Sequence, residues 1–352
     1  MTQSIDSRRD FLAGAGALFV GCSLFPQAHA QARRREVRVA GKRIRTIDVH
    51  AHCVIPEAQA LMKQQPPPDY AKTFAERLKD MDEQGVDMQA LSINPTWYAL
   101  ERDLVAKVID LQNEKLAEIC AKTPERFVAF ASVALQYPEL ATQQLEHGVK
   151  KLGLRGAAIG ASVESADFAD AKFHPFLRKA EELGVLLFIH PRGMPELKNR
   201  LAGNGYLDNT IGNPLETTIA LSHLIYEGTL DRLPGLKICA AHGGGYLPSY
   251  ADRSDHVCLA RPKSCISTVP LKKKPTEYLR QLYFDSLIFS PEALRHLAAQ
   301  VGPSQIVMGT DDPFGWTKTS VDHILNTPEL SEAQKAAILG ETAAKLLGLG
   351  AT

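Results

Sequence analysis

From residue 44 onward, short β-branched and apolar runs alternate with longer amphipathic stretches. Strand-like runs fall at 44–50, 88–93, 127–133, 154–159, 185–190, 236–241, 283–289 and 305–309. Between them, apolar positions recur at helical spacing over 74–84, 106–123, 141–152 and 173–183, the repeat of a helix that buries one face. Later strands such as the one containing Leu187-Phe188-Ile189 are continuously apolar, as strands covered on both faces must be. Eight strands alternating with helices predict an α/β fold, a (β/α)8 TIM barrel spanning 44–352. The rival is a doubly wound open sheet, but no G-x-G-x-x-G follows the first strand to support a dinucleotide-binding version. Pro66-Pro67-Pro68 and the glycine-punctuated stretch 193–213 read as long loops after strands one and five.

The pattern upstream is of another kind. Ser7-Arg8-Arg9-Asp10-Phe11-Leu12 precedes a small and apolar stretch, and Ala28-His29-Ala30 supplies a small-residue cleavage site. Residues 1–30 therefore read as a twin-arginine signal peptide, with 31–43 as a short linker, and predict a periplasmic protein exported in the folded state. Val20-Gly21-Cys22 is a partial lipobox, which makes a lipoprotein anchored at Cys22 the minor alternative. Downstream of residue 30 no apolar run approaches the ~20 residues of a membrane-spanning helix.

Composition narrows the partners. The chain has 352 residues, no net formal charge, 45% hydrophobic and 23% charged residues. Without a basic excess, nucleic acid is not an expected partner. Signal removal would leave Cys53, Cys120, Cys239, Cys258 and Cys265. An odd count without C-x-x-C argues against a disulfide framework and a structural zinc site. Cys258 and Cys265 are close enough in sequence to bridge, and two free thiols fit equally well.

The candidate chemistry sits at strand ends, where barrels of this kind place reactive groups. His50 and His52 end strand one, His190 ends strand five, His242 ends strand six and Asp311 ends strand eight. An H-x-H pair on a regular strand puts two imidazoles on one face, half of a divalent-metal site. Trp97, Tyr98, Phe314 and Trp316 follow strands two and eight and suit a planar apolar pocket, while Arg192 is a candidate carboxylate contact. His242-Gly243-Gly244-Gly245 imitates an esterase oxyanion motif, but the G-x-S-x-G that a serine hydrolase needs does not occur. A non-catalytic binding protein is the remaining alternative, and predicts no stoichiometric metal.

Several of these segments together resemble the amidohydrolase superfamily, within it the aminocarboxymuconate-semialdehyde decarboxylase-like group. They are Ile47-Asp48-Val49-His50-Ala51-His52, Met81-Asp82-Glu83-Gln84-Gly85-Val86-Asp87 and Phe188-Ile189-His190-Pro191. The others are His242-Gly243-Gly244-Gly245-Tyr246-Leu247-Pro248 with Arg253 downstream, and Gly309-Thr310-Asp311-Asp312-Pro313-Phe314. The resemblance covers 44 to about 349. It implies that His50, His52, His190 and Asp311 bind one divalent metal, zinc by preference for nitrogen ligands with manganese as alternative. It makes His242 the acid/base residue, with Asp311 as a second catalytic group, and Arg253 a clamp for a substrate carboxylate. Strand four ends Ala157-Ala158-Ile159-Gly160, with no lysine for a bridging carbamate, so the site is expected to be mononuclear. Asp312 departs from the aromatic residue that relatives often carry there.

The reaction implied is non-oxidative decarboxylation of an unsaturated or aromatic carboxylic acid, a small-molecule substrate. The same constellation serves hydrolysis or hydration of a lactone, ester or amide, because water activation suits both. Relatives often dimerise, so a homodimer is a further expectation.

Overall fold

The computed structural model describes residues 34–265 and 270–350; the expected signal peptide, Cys22 included, lies outside them. Eight parallel strands form the frame. They are β1 (Ile47–His52), β2 (Met88–Ser92), β3 (Phe127–Ala129), β4 (Gly156–Gly160), β5 (Leu186–His190), β6 (Lys237–Ala240), β7 (Tyr283–Asp285) and β8 (Ile306–Val307). Ladders join β1 through β3 and β4 through β8. Three single bridges complete the circle, Ala131 to Ala157 between the β3 and β4 edges, and Asp48 to Met308 and Ala51 to Asp312 between the β1 and β8 sides. Among the described residues, closure leaves the barrel strands no free edge, which a parallel sheet of this size must otherwise protect.

The helices follow from local signals. The stretch predicted at 74–84 is the helix α1 (Phe74–Gln84), opened by a capping box between Thr73 and Glu76 and stopped at Gly85 in the left-handed region. After it come α2 (Arg102–Lys122), α3 (Pro138–Lys150), α4 (His174–Leu183), α5 (Asn213–Tyr226), α6 (Ala251–Ala260) and α7 (Pro291–Val301). Among the described residues, no helix is long and apolar enough to cross a membrane.

Strand alternation separates two cores. Leu187, Ile189, Ile238 and Ala240 face outward to the helices. Leu186, Phe188, Cys239, Ala241, Met88, Ala90 and Val307 fill the barrel. The last helix, α8 (Thr342–Leu346), sends Ala343 and Leu346 into that inner cluster and so plugs the floor. Gly340 permits the approach, because a Cβ there would lie 1.9 Å from the Arg45 carbonyl oxygen.

Residues 34–43 are not a linker in their described part. Arg38–Val39 and Lys42–Arg43 form a small antiparallel hairpin, and Val37 and Val39 are buried in the outer core. Arg43 donates to both carboxylate oxygens of Asp87, at 2.8 and 2.6 Å. Alternation of two apolar residues was too short a signal to reveal this rim.

Candidate metal centre and active-site cavity

Regular alternation does not by itself bring His50 and His52 inward. Ile47 and Val49 belong to the inner cluster, so His50 and His52 would face outward on an unbroken strand. A register shift between Asp48 and Ala51 interrupts the ladder with β2. This irregularity turns His50 against the inner Phe188, with ring centroids 5.0 Å apart. His190 needs no such device, since it follows Leu186 and Phe188 in phase. His242 is again out of phase with the inner Cys239 and Ala241, whereas Asp311 follows Val307 in phase; both adopt left-handed backbone, with φ of 54° and 60°. Non-glycine residues rarely do so, and such strain gathers at functional sites.

These devices bring four ligand-type residues together. One donor atom each from His50, His52, His190 and Asp311 lies within 4.8 Å of the others, and all four residues are buried. Asp311 Oδ1 is 3.1 Å from His50 Nε2 and 3.0 Å from His52 Nε2. The two Nε2 atoms are 3.0 Å apart. Their far nitrogens are already engaged: His50 Nδ1 with Asp285 Oδ2 at 2.6 Å, and His52 Nδ1 with Ser92 Oγ at 2.8 Å. Ser92 in turn donates to the Ala51 carbonyl. Each Nδ1 therefore carries the proton and each Nε2 presents a lone pair. Acceptor faces acceptor, and neither His190 nitrogen nor Asp311 Oδ1 has a hydrogen-bond partner. Buried acceptors left in this state are costly unless a cation sits among them. Ligands about 2.1 Å from an ion fit this spacing, so the residues present suit a single divalent metal.

Until an ion binds, a proton on His50 takes its place. Burial lowers the His50 pKa, but the Asp311 charge and hydrogen bonds with Asp285 and Asp311 overcome it and push it up to about 10. Burial takes His52 down to about 4 despite its bond to Asp311, because imidazoles in contact do not both hold a proton. Burial also holds His190 well below its ordinary value. For Asp311, burial is outweighed by the charge of His50 and the closeness of the surrounding imidazoles, which keep it strongly acidic. Two carboxylates thus draw one positive charge into the cluster, the charge that a metal supplies.

Asp285, at the end of β7, is the most important group that the sequence reading passed over. Besides engaging His50, it accepts from the backbone N–H groups of His242 and Gly243, both at 2.9 Å. One carboxylate thereby orients His50 and the loop carrying His242. The sequence run over 283–289 hid it, because the strand stops at Asp285. Asp312 lies behind the site, 2.7 Å from Arg77 Nη1 and paired with Lys72. Arg77 also donates to the His52 carbonyl at 2.6 Å, so Asp312 braces β1.

The cluster opens into a cavity of about 620 Å³ lined by His190, Arg192, His242, Asp311, Phe314 and Trp316, among others. His242 Nε2 lies 3.7 Å from Asp311 Oδ2. Trp316 is half-exposed and stacks on Tyr206 at 6.4 Å. Two expected substrate contacts lie elsewhere. Trp97 is fully buried, with its indole N–H donating to the Val133 carbonyl at 3.0 Å, and packs between barrel and helices. Arg253 lies exposed on α6 and is not among the cavity lining. Cys258 and Cys265 are joined as a disulfide, while Cys53, Cys120 and Cys239 are free.

Comparison with known proteins places this constellation. A 2-amino-3-carboxymuconate-6-semialdehyde decarboxylase of Dictyostelium discoideum is 33% identical over 277 residues, covering 78% of this chain and 76% of that protein. The crystal structure of a 5-carboxyvanillate decarboxylase from Sphingomonas paucimobilis superposes with a TM-score of 0.79 at 26% identity, covering 87% of this chain and 100% of the other. A dihydroxybenzoic acid decarboxylase from Polaromonas sp., solved with bound manganese and the inhibitor 2-nitroresorcinol, gives 0.76 at 28% identity, covering 87% and 98%. The model of the amidohydrolase family matches residues 47–349. With its closed eight-stranded barrel and its His/Asp cluster at the strand ends, the chain belongs to the amidohydrolase family.

Proposed function

We propose that the protein is a metal-dependent non-oxidative decarboxylase of an unsaturated or aromatic carboxylic acid. The observation that carries this is the pairing of His242 Nε2 and Asp311 Oδ2, 3.7 Å apart, on the wall of an aromatic-lined cavity beside the metal cluster. Relatives across most of the chain are decarboxylases of such acids. The metal, when bound, supplies a Lewis acid that polarises a substrate oxygen. His190, His50, His52 and Asp311 hold it. His242 and Asp311 hold and deliver the proton that the substrate carbon takes up. The bond from that carbon to its carboxylate then breaks, carbon dioxide leaves, and the electron pair returns to the unsaturated system. Phe314 and Trp316 flank a planar substrate.

Incubating metal-loaded protein with a panel of hydroxybenzoates and lactones, while measuring carbon dioxide and titrated acid, tests this. Carbon dioxide from an acid is the expected result. Acid release from lactones without carbon dioxide would replace decarboxylation with hydrolysis.

The donor set of three imidazoles and one carboxylate suits zinc, and manganese is the alternative that the Polaromonas relative contains. Reconstituting apoprotein with each separates them. We further propose export by the twin-arginine route to the periplasm, with cleavage after Ala30. Ser7-Arg8-Arg9 and the Cys258–Cys265 disulfide support it. A native N-terminus near Met1 overturns it, and a lipid-modified Cys22 establishes the anchored form instead. A homodimer is supported by the apolar exposure of Val257 and Leu259 on α6, beside Arg253, and sedimentation measures it.

A further inference from the structure

Arg192 has a built seat and, among the described residues, no ion-pair partner. Its guanidinium carbon lies 4.7 Å from the centroid of the Tyr98 ring. That ring is buried, and its hydroxyl accepts from the Gly160 N–H at 3.1 Å, so the platform is fixed. Gly160 also makes room: a Cβ there would meet Arg192 Cδ at 2.8 Å. The backbone is held as well. Glu216, buried on α5, accepts from the N–H groups of Arg192 and Gly193 at 2.7 and 2.8 Å, and from Ser162 Oγ at 2.8 Å. With its oxygens engaged by these donors, Glu216 leaves the guanidinium unpaired. Among the described residues, no carboxylate forms an ion pair with Arg192.

The position matters because Arg192 borders the same cavity as His190, His242 and Asp311. Among the described residues lining that cavity, it is the one arginine or lysine. The metal cluster already supplies the anchor for the reacting end of a substrate. A fixed, unpaired guanidinium elsewhere on the wall suits a planar anion by two parallel hydrogen bonds.

We propose that Arg192 is a specificity-determining residue that binds a second carboxylate, so that the preferred substrates are unsaturated or aromatic dicarboxylic acids. This rests on the decarboxylase reading for the fate of the first carboxylate and not for the binding of the second. Tyr98 and Glu216 act through Arg192 as positioning residues.

The test is calorimetric binding to the metal-loaded protein of benzoate and of benzene-1,2-, 1,3- and 1,4-dicarboxylate, compared in wild type and Arg192→Met. At least one dicarboxylate should bind about tenfold more tightly than benzoate, and Arg192→Met should abolish that preference while benzoate affinity stays within about twofold. Arg192→Lys should restore part of it. Because Arg192 is exposed, metal content and melting temperature should match wild type in both variants. The proposal is overturned if no dicarboxylate is preferred, or if the preference survives in Arg192→Met. Binding is read without turnover. A preference found in a protein that releases no carbon dioxide from any acid sinks the decarboxylase reading and leaves this one standing.

Discussion

Asp311 and Asp87 are both buried aspartates at opposite ends of the barrel, and their surroundings are opposite in kind. Asp87, just before β2, receives Arg43 at both oxygens, the Thr46 N–H at 2.9 Å and Arg34 at 2.5 Å. Its negative charge is answered by donors from its own fold. Asp311, after β8, faces the nitrogen lone pairs of His50 and His52, and its Oδ1 has no donor. The N-terminal rim is complete as a folded protein. The C-terminal rim is complete only with something added. Buried polar groups that satisfy one another hold a structure together, whereas a cluster that cannot satisfy itself marks where the protein binds.

The sharpest way to break this contrast is to remove a ligand. His190→Ala or Asp311→Ala should reduce metal content from one equivalent to none by elemental analysis, and turnover with it. Chelating the wild type should have the same effect, reversed by adding metal back. His242→Ala is the next test: metal content should stay at one equivalent while the rate falls by roughly 10²–10⁴-fold. Full activity in that variant would remove His242 from the chemistry. Asp285→Asn should be milder, weakening metal affinity by about 10–100-fold in a chelator competition, since it loosens His50 without deleting a ligand.

The smallest functional effect belongs to the other rim. Asp87→Asn should leave metal stoichiometry and the rate per folded molecule unchanged, and cost on the order of 2 kcal/mol of stability in denaturant unfolding. The pH dependence has a definite sign. Burial raises the Asp87 pKa, but Arg43, the Thr46 N–H and Arg34 outweigh it and hold it below its ordinary value. Its stabilisation is therefore complete above the unfolded-state value of about 4 and fades as pH falls through the lower folded value. Wild type and Asp87→Asn should converge in melting temperature under strong acid. Parallel curves would show that the charge of Asp87 contributes nothing.

Periodicity was enough for the barrel and for α1, because each strand and helix announces its buried face through its own residues. It also put His50, His52, His190 and Asp311 at strand ends, where the structure gathers them, since the end of a strand is a local property. What it missed depended on distant partners. The register shift that turns His50 inward is set against β2, and the left-handed backbone of His242 and Asp311 is not a preference of either residue. Asp285 acquires its role from His50, 235 positions away. Trp97 follows strand two as expected, yet the Val133 carbonyl drew its indole away from the cavity. The hairpin at 38–43 lacked a repeat long enough to read, and its place is fixed by Asp87.

The closing of the barrel also sets an order of events. Asp48 on β1 accepts from the Thr310 backbone and hydroxyl, 262 positions later, and the Arg45 carbonyl meets Gly340 of the floor. The first strand off the ribosome thus reaches its final neighbours only when β8 and the floor helix have been made. Until then His50 and His52 lack Asp311 opposite them, and the ion-binding pole is incomplete. Acquisition of the metal is consequently a late step that waits on nearly the whole polypeptide, and the slow search for that non-local contact sets its earliest time.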